Sequence, residues 1–468
     1  MRMSWTDIAN TQADAARDTC VELTGFASPA DTARRSAYFL LLPDAPCCAG
    51  HRPRDPCAAV EVFAAAPLPM RSGALRLSGE WRVLADGPDG WRYQLHGAHA
   101  VDPPGWAKLT RRSVLMSGPL LCLATTACAQ PSIPDTVRAT TARSVIRAHR
   151  PVDIHSHAGG IASAARLKSG VGFSPIREPM REGGMAVTCL AMVADSPTVH
   201  LAEGGRLRPY REPAPGELRD HAVMAFDRIL QLVQGENLRI IVTANDFKAA
   251  SAEAPAAIIA VEGADFLEGQ IDRLNEAYRR WNLRHLQLTH YRVNELGDIQ
   301  TEPPIHGGLT DFGVEVIRRS NQLGIVVDVA HGTTNLVRRA AAVTTKPLVL
   351  SHTSLTPRPG QFSRQISAEH AKLIASTAGV IGIWPPATIY PNIAAMAAGI
   401  ARMVDVVGID HVGIGTDLRG LVGGTVFPDY QALSALAETL LDVGFRDLDI
   451  GKILGGNYAR VFMASVAA

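Results

Sequence analysis

The sequence predicts an α/β protein built on a TIM-like (β/α)8 barrel. Two patterns lead there. From residue 152 onward, short β-rich runs alternate with helical patterns, the mark of repeated βα units. Six of the eight β-rich runs end in a residue able to bind a metal or move a proton, and in a closed parallel barrel such ends converge on one face. An open doubly wound sheet is the alternative. No G-x-G-x-x-G follows the first run, so a dinucleotide site has no support.

The predicted strands are Val152–His157, Ala186–Val193, Ala257–Glu262, Leu283–His290, Ile325–His331, Pro347–His352, Val380–Trp384 and Val412–Asp417. Most are continuous apolar runs such as Ala257-Ile-Ile-Ala-Val-Glu262, as expected of parallel strands buried on both faces. Leu238–Val242 is a further short candidate. Helical patterns intervene, among them Asp311–Leu323, Ala368–Thr377, Ile393–Val407 and Tyr430–Val443. No fixed-period repeat points to a solenoid.

Composition narrows the function. A formal net charge of +1 without a clustered basic stripe leaves no nucleic-acid footprint. No apolar run reaches the ~18–20 residues of a membrane span. The 47% hydrophobic fraction supports a sizeable core. Six of the seven cysteines, Cys20, Cys47, Cys48, Cys57, Cys122 and Cys128, precede the barrel, and Cys189 alone lies within it, so the barrel has no internal disulfide.

Residues 110–130 read as a twin-arginine export signal: Arg111-Arg112, a modest apolar run, then small residues, with cleavage after Ala129 and a periplasmic destination. Lipidation at Cys128 is the competing outcome, and a buried core helix is the plain alternative. Residues 1–109 show little periodicity and are expected to be an extension outside the mature protein, with translation starting near Val101; an N-terminal domain of its own is the other reading. The chemistry is expected in 131–468.

His155 and His157, two apart on a strand, point to one face and suit a metal of borderline softness such as zinc. Glu262 at the end of an apolar strand demands a partner, either an arginine or one or two cations it could bridge. His331 and His352 end successive strands, which favours a binuclear site over two satisfied core histidines. Asp417 can take a proton from activated water and pass it to a leaving amine. His290 could polarise a carbonyl, or be a structural histidine. Asp328 could orient a ligand or be a capping or core polar residue.

At these residues the chain resembles the renal (membrane) dipeptidase family of zinc metallopeptidases, from about Val152 to Phe462. The most specific pieces are Gly308-Leu-Thr-Asp-Phe-Gly313, Asn321-Gln-Leu-Gly324, Asp328-Val-Ala-His331, Ser351-His352-Thr-Ser354, Gly408-Ile-Asp-His-Val-Gly-Ile-Gly-Thr-Asp417 and Gly455-Gly-Asn-Tyr-Ala-Arg-Val-Phe462, with 21 residues from His331 to His352. The resemblance implies a metal-dependent hydrolase of the dipeptidase type, often dimeric, holding two Zn2+ per chain. It implies that His155 and the residue at 157 bind one zinc, that Glu262 bridges, and that His331 and His352 bind the other. His290 would contact the substrate or its tetrahedral intermediate, and Asp417 would be the acid–base group. An arginine after the sixth strand would grip the substrate's terminal carboxylate; Arg364 is the first choice and Arg358 the second.

Three departures stand out. The family usually has Asp where this chain has His157. Its Glu-Gly-Gly becomes Glu262-Gly263-Ala264, and the acidic residue two past the catalytic aspartate is Arg419 here. The leading expectation is hydrolysis of a dipeptide through two metals and a bridging hydroxide. A barrel hydrolase acting on a lactone or non-peptide amide, and a metal-stabilised binding protein without turnover, are the rivals.

Overall fold

The computed structural model describes residues 3–9, 12–29, 35–43, 59–69, 75–83, 93–101, 135–161, 173–202, 205–356 and 359–466. The signal-like segment 110–130, Cys128 and Arg358 lie outside the described residues. The chain divides into two compact units, one formed by the N-terminal strands and one by the described residues from 142 to 466.

The N-terminal unit has regular structure that the sequence pattern does not show. The stretch read as lacking periodicity holds five strands: β1 (Cys20–Pro29), β2 (Arg35–Leu42), β3 (Val60–Pro69), β4 (Leu75–Val83) and β5 (Tyr93–Ala100). They close into a barrel in the order β1-β2-β3-β5-β4, with β3 and β5 parallel and every other pair antiparallel. This is the five-stranded Greek-key arrangement of OB-type barrels, and a fold of this kind fixes no function by itself. Val21, Leu23, Phe39, Leu41, Val62, Trp81 and Leu95 fill its core. The pattern hides in the sequence because β2 is apolar on both faces: Tyr38, Leu40 and Leu42 are buried as well as Phe39 and Leu41.

In the second unit all eight predicted strands are present, as β6 (Val152–Ser156), β7 (Val187–Val193), β11 (Ala256–Glu262), β12 (Leu283–Gln287), β13 (Val326–Asp328), β14 (Val349–Thr353), β15 (Val380–Ile383) and β16 (Val412–Ile414). A hairpin, β8 (Val199–Leu201) and β9 (Leu207–Pro209), and a short strand, β10 (Arg239–Ile240), complete the set. The eight run parallel in spatial order β6-β7-β11-β12-β13-β14-β15-β16, which is also chain order. Each crossover carries its helices outside, as parallel strands require. Beyond β16 the ring closes onto β6: Asp417 N–H donates to the His155 carbonyl at 2.9 Å and His157 N–H to the Leu418 carbonyl at 2.9 Å. Below that seam the buried Asp153 carboxylate accepts from Thr416 N–H (2.8 Å), Thr416 Oγ1 (2.6 Å) and the Tyr430 hydroxyl (3.0 Å).

The helices start where the sequence supplies a cap. Thr310, Ser367 and Asn392 each accept a backbone N–H three residues on, opening Asp311–Leu323, Ala368–Ala375 and Ile393–Val407. A buried cluster joins Ile154, Val187, Ala191, Ile258, Val326, Val349 and Val380 to Tyr458 and Phe462 of the last helix, Asn457–Ser465. Among the described residues no helix is long and apolar enough to cross a membrane.

Candidate active site

Three strands end earlier than expected, which places His290, His331 and Asp417 in the turns beyond them, while His155, Glu262 and His352 lie within their strands. β12 stops at Gln287, three residues before His290; β13 at Asp328, three before His331; and β16 at Ile414, three before Asp417. His331 (φ 68°) and Asp417 (φ 50°) adopt the left-handed conformation, which ends the ladder and turns both side chains into the mouth. Gly420 makes room for the turn, since a Cβ there would stand 2.0 Å from Asp417 Oδ1 and 2.5 Å from the His157 ring.

The structure brings His155, His157, Glu262, His290, His331, His352 and Asp417 into one buried cluster. Glu262 stands at its centre. Its Oε1 lies 3.2 Å from His331 Nε2, 3.4 Å from His352 Nε2 and 3.5 Å from His155 Nε2. Its Oε2 lies 3.2 Å from His157 Nε2 and 3.3 Å from His290 Nε2. The histidines pair off across the carboxylate, His155 with His157 at 3.2 Å and His331 with His352 at 3.1 Å between Nε2 atoms. Asp417 Oδ1 sits 3.3 Å from His157 Nε2 and 4.0 Å from His155 Nε2.

These residues fit a pair of metal ions. Nitrogens bound at roughly 2.0–2.1 Å to one tetrahedral ion stand about 3.3 Å apart, close to the spacing of both histidine pairs. His157 Nδ1 lies 2.7 Å from the Ala191 carbonyl, so the neutral ring keeps its proton there and presents a bare Nε2. His352 is oriented in the same way by Ser351 Oγ at 2.9 Å. Two bare nitrogens at 3.1–3.2 Å repel unless a cation or a proton lies between them. Burial, then His155 and Arg364, hold the His352 ring well below the usual imidazole range; burial and Arg364 do the same to His331, so both are neutral ligands in waiting. Burial raises the Glu262 carboxyl, but His290, His155 and His157 outweigh it and keep the group ionised. Burial also opposes a charge on His157, yet hydrogen bonds to Asp417 and Glu262 hold that ring up at about 10.

His290 is fixed by a residue that the sequence reading missed. Asp195, fully buried, meets His290 Nδ1 at 2.7 Å through Oδ1 and accepts Tyr291 N–H at 3.0 Å through Oδ2. Burial lowers the His290 ring, and Asp195 with Glu262 more than restores it, so its proton affinity is raised overall. The signal was present: Asp195 stands two residues past the second apolar strand, where the strand-end rule already pointed.

Arg364 lines the same cavity, which holds about 360 Å³ beside Tyr291, Trp384 and the histidine cluster. Its Nη1 donates to Gln300 Oε1 at 2.7 Å and its Nη2 to the His352 carbonyl at 3.3 Å, and the guanidinium lies 5.4 Å from the centre of the Trp384 ring. Its buried Nε–H has no partner among the described residues. A planar cation locked on two sides with donors unspent suits a bidentate carboxylate. Asp328 does not orient His331: it accepts Ala330 and Ser351 N–H at 2.9 and 3.0 Å and lies 3.1 Å from His285 Nε2, tying β12, β13 and β14 together.

Comparison with known proteins decides the family. The family described as membrane dipeptidase (peptidase family M19) matches residues 179–468. The chain belongs to the membrane dipeptidase family. Among curated proteins, dipeptidase aclJ of Aspergillus oryzae is 29% identical over 222 residues, covering 44% of this chain and 50% of that protein. Mouse dipeptidase 3 is 25% identical over 221 residues, covering 44% of each chain. The chain thus matches about half the length of these curated relatives. Among solved structures, a Rhodobacter sphaeroides metallopeptidase liganded with a phosphinate mimic of the dipeptide L-Ala-D-Ala superposes with a TM-score of 0.59 at 19% identity. That match covers 68% of this chain and 99% of the other, and it establishes the shared barrel. In this membrane dipeptidase family member the cluster of five imidazoles around Glu262, His157 among them, is the candidate metal site.

Proposed function

We propose that the protein hydrolyses dipeptides with two Zn2+ ions, one held by His155, His157 and Glu262 and the other by Glu262, His331 and His352. The observation that carries the reading is Glu262, whose two oxygens each lie within 3.2 Å of an imidazole nitrogen from opposite histidine pairs, in the cavity that Arg364 lines. Bound there, the metals would supply Lewis acidity toward the scissile carbonyl and toward water. The remaining work falls to side chains of this chain. Arg364 grips the substrate's terminal carboxylate through unspent N–H groups and so sets the peptide bond over the cluster. His290, held by Asp195, donates Nε2–H to the carbonyl oxygen as charge develops on it. Asp417 takes the proton from water and returns it to the departing amine.

The test is turnover of a panel of L,L and L,D dipeptides by the full chain, with zinc counted on the same sample. Cleavage with about two metals per chain supports the reading. Metal-loaded protein that cleaves no dipeptide overturns it. Asp417→Asn should abolish turnover while keeping the metals, and substantial residual activity would remove Asp417 from its role. Arg364→Ala should weaken substrates with a free carboxylate far more than amidated ones, and equal loss on both would count against it.

A further inference from the structure

The cavity has a second guanidinium at its rim. The β8–β9 hairpin borders it with Val199, Gly205, Arg206 and Leu207. Its tip is closed by Ala202 N–H donating to the Arg206 carbonyl at 2.8 Å. Arg206 and Arg208 are two apart along this edge, so their side chains leave on the same face. They are used differently. Arg208 forms a two-pronged pair with Glu302, 2.8 Å on each arm. Arg206 donates Nη2 to the Thr301 carbonyl at 2.8 Å, and its guanidinium lies 5.0 Å from the centre of the Phe362 ring. No carboxylate among the described residues forms an ion pair with Arg206. Phe362 lines the cavity and is itself held at φ 67°, a conformation an aromatic residue takes only when its surroundings impose it. The Arg206 plane is therefore stacked and anchored on one side, with further N–H donors to spend.

The charges in the cavity leave this cation unanswered. Asp195 is occupied by His290 and Tyr291, Glu262 by the imidazoles, and Asp417 by His157. Arg364 meets one carboxylate, the terminal one. A dipeptide with a neutral side chain has no second anion to offer; one with an acidic side chain does.

We infer that Arg206 recognises a side-chain carboxylate of the substrate and makes this site favour dipeptides that contain Asp or Glu, an inference that rests on the dipeptidase reading above. Phe362 is the positioning residue that presents the guanidinium. Arg206 is exposed, so its contribution is a preference among substrates.

The experiment compares kcat/KM of the zinc-loaded full chain on Ala-Glu against Ala-Gln and on Glu-Ala against Gln-Ala, with the Lys-bearing dipeptides alongside. In at least one pair the acid should lead its amide by about two- to fivefold, the scale of an ion pair to an exposed arginine. Arg206→Gln should bring that ratio close to one, and Arg206→Glu should turn the preference toward lysine. An arginine that only anchors the hairpin would, when replaced, slow all these substrates alike and leave the ratio standing. An unchanged ratio, or a wild-type ratio near one in both pairs, overturns the inference while leaving dipeptidase activity intact. Failure to cleave any of them with metal bound brings down the dipeptidase reading, and this inference with it.

Discussion

Replacing Asp195 by asparagine tests the carboxylate that holds His290 in place. The carboxylate accepts twice, from His290 Nδ1 at 2.7 Å and from Tyr291 N–H at 3.0 Å, and it is fully buried. An asparagine of nearly the same volume has one acceptor oxygen, so its amide must face one of these two donors. Loss of a charge-assisted bond in such a place removes about 1.5–3 kcal/mol, which is about a 10- to 150-fold fall in kcat/KM if His290 acts in the transition state. Asp195 also helps to keep His290 protonated; when metal neutralises Glu262, Asp195 is the anion left to do so. The alkaline limb of the pH–rate profile should therefore move to lower pH in Asp195→Asn. Steady-state kinetics across pH, with zinc counted for each protein, measure both effects. A kcat/KM within about twofold of wild type, or a fall fully explained by lost metal, would refute the assignment of Asp195 as the group that positions His290.

Other consequences follow from the same geometry. In the proposed site, zinc would have to displace the proton that Asp417 and Glu262 hold on His157, whose affinity is raised to about 10. Apparent zinc affinity at that position should thus climb about tenfold per pH unit through neutrality; a competition titration should find a shallower slope in His157→Asp, and equal slopes would contradict the account. His370 is pushed down to about 4 by burial, then by Arg364 and Arg338. The unfolded chain takes a proton near pH 6.5 that the folded protein refuses. This stability is complete above that pH and is lost as the pH falls toward 4, by up to about 3 kcal/mol. Urea unfolding of His370→Leu should show a flatter acid limb than wild type, and parallel limbs would refute this. Asp153→Ala leaves the Thr416 N–H and hydroxyl without their acceptor at the barrel seam. It should destabilise the barrel by about 2–5 kcal/mol in chemical denaturation; a loss under about 1 kcal/mol would mean that the seam is held elsewhere.

The barrel was legible because its strands are buried on both faces, so continuous apolar runs such as Ala257–Val261 stand out and the eight of them count the ring. The residues of the candidate metal site were legible for a related reason. A charged or imidazole side chain at the end of such a run cannot be left alone in an apolar wall, so His155, His157, Glu262, His331 and His352 each announce a partner. The sequence could not say which partner. The pairing of histidines across the two oxygens of Glu262, and the Ala191 carbonyl that turns His157 Nε2 toward them, are set by distances between strands far apart in the chain. The N-terminal barrel was lost to sequence reading because β2 buries both faces and so shows no alternation. Asp195 and Arg206 escaped for another reason: each takes its meaning from a residue about 95 positions away, His290 for one and Thr301 for the other. Local sequence settles what a side chain can do, because its chemistry is its own. Only the closed barrel settles what it meets, because that depends on which turns the closure brings to the same mouth.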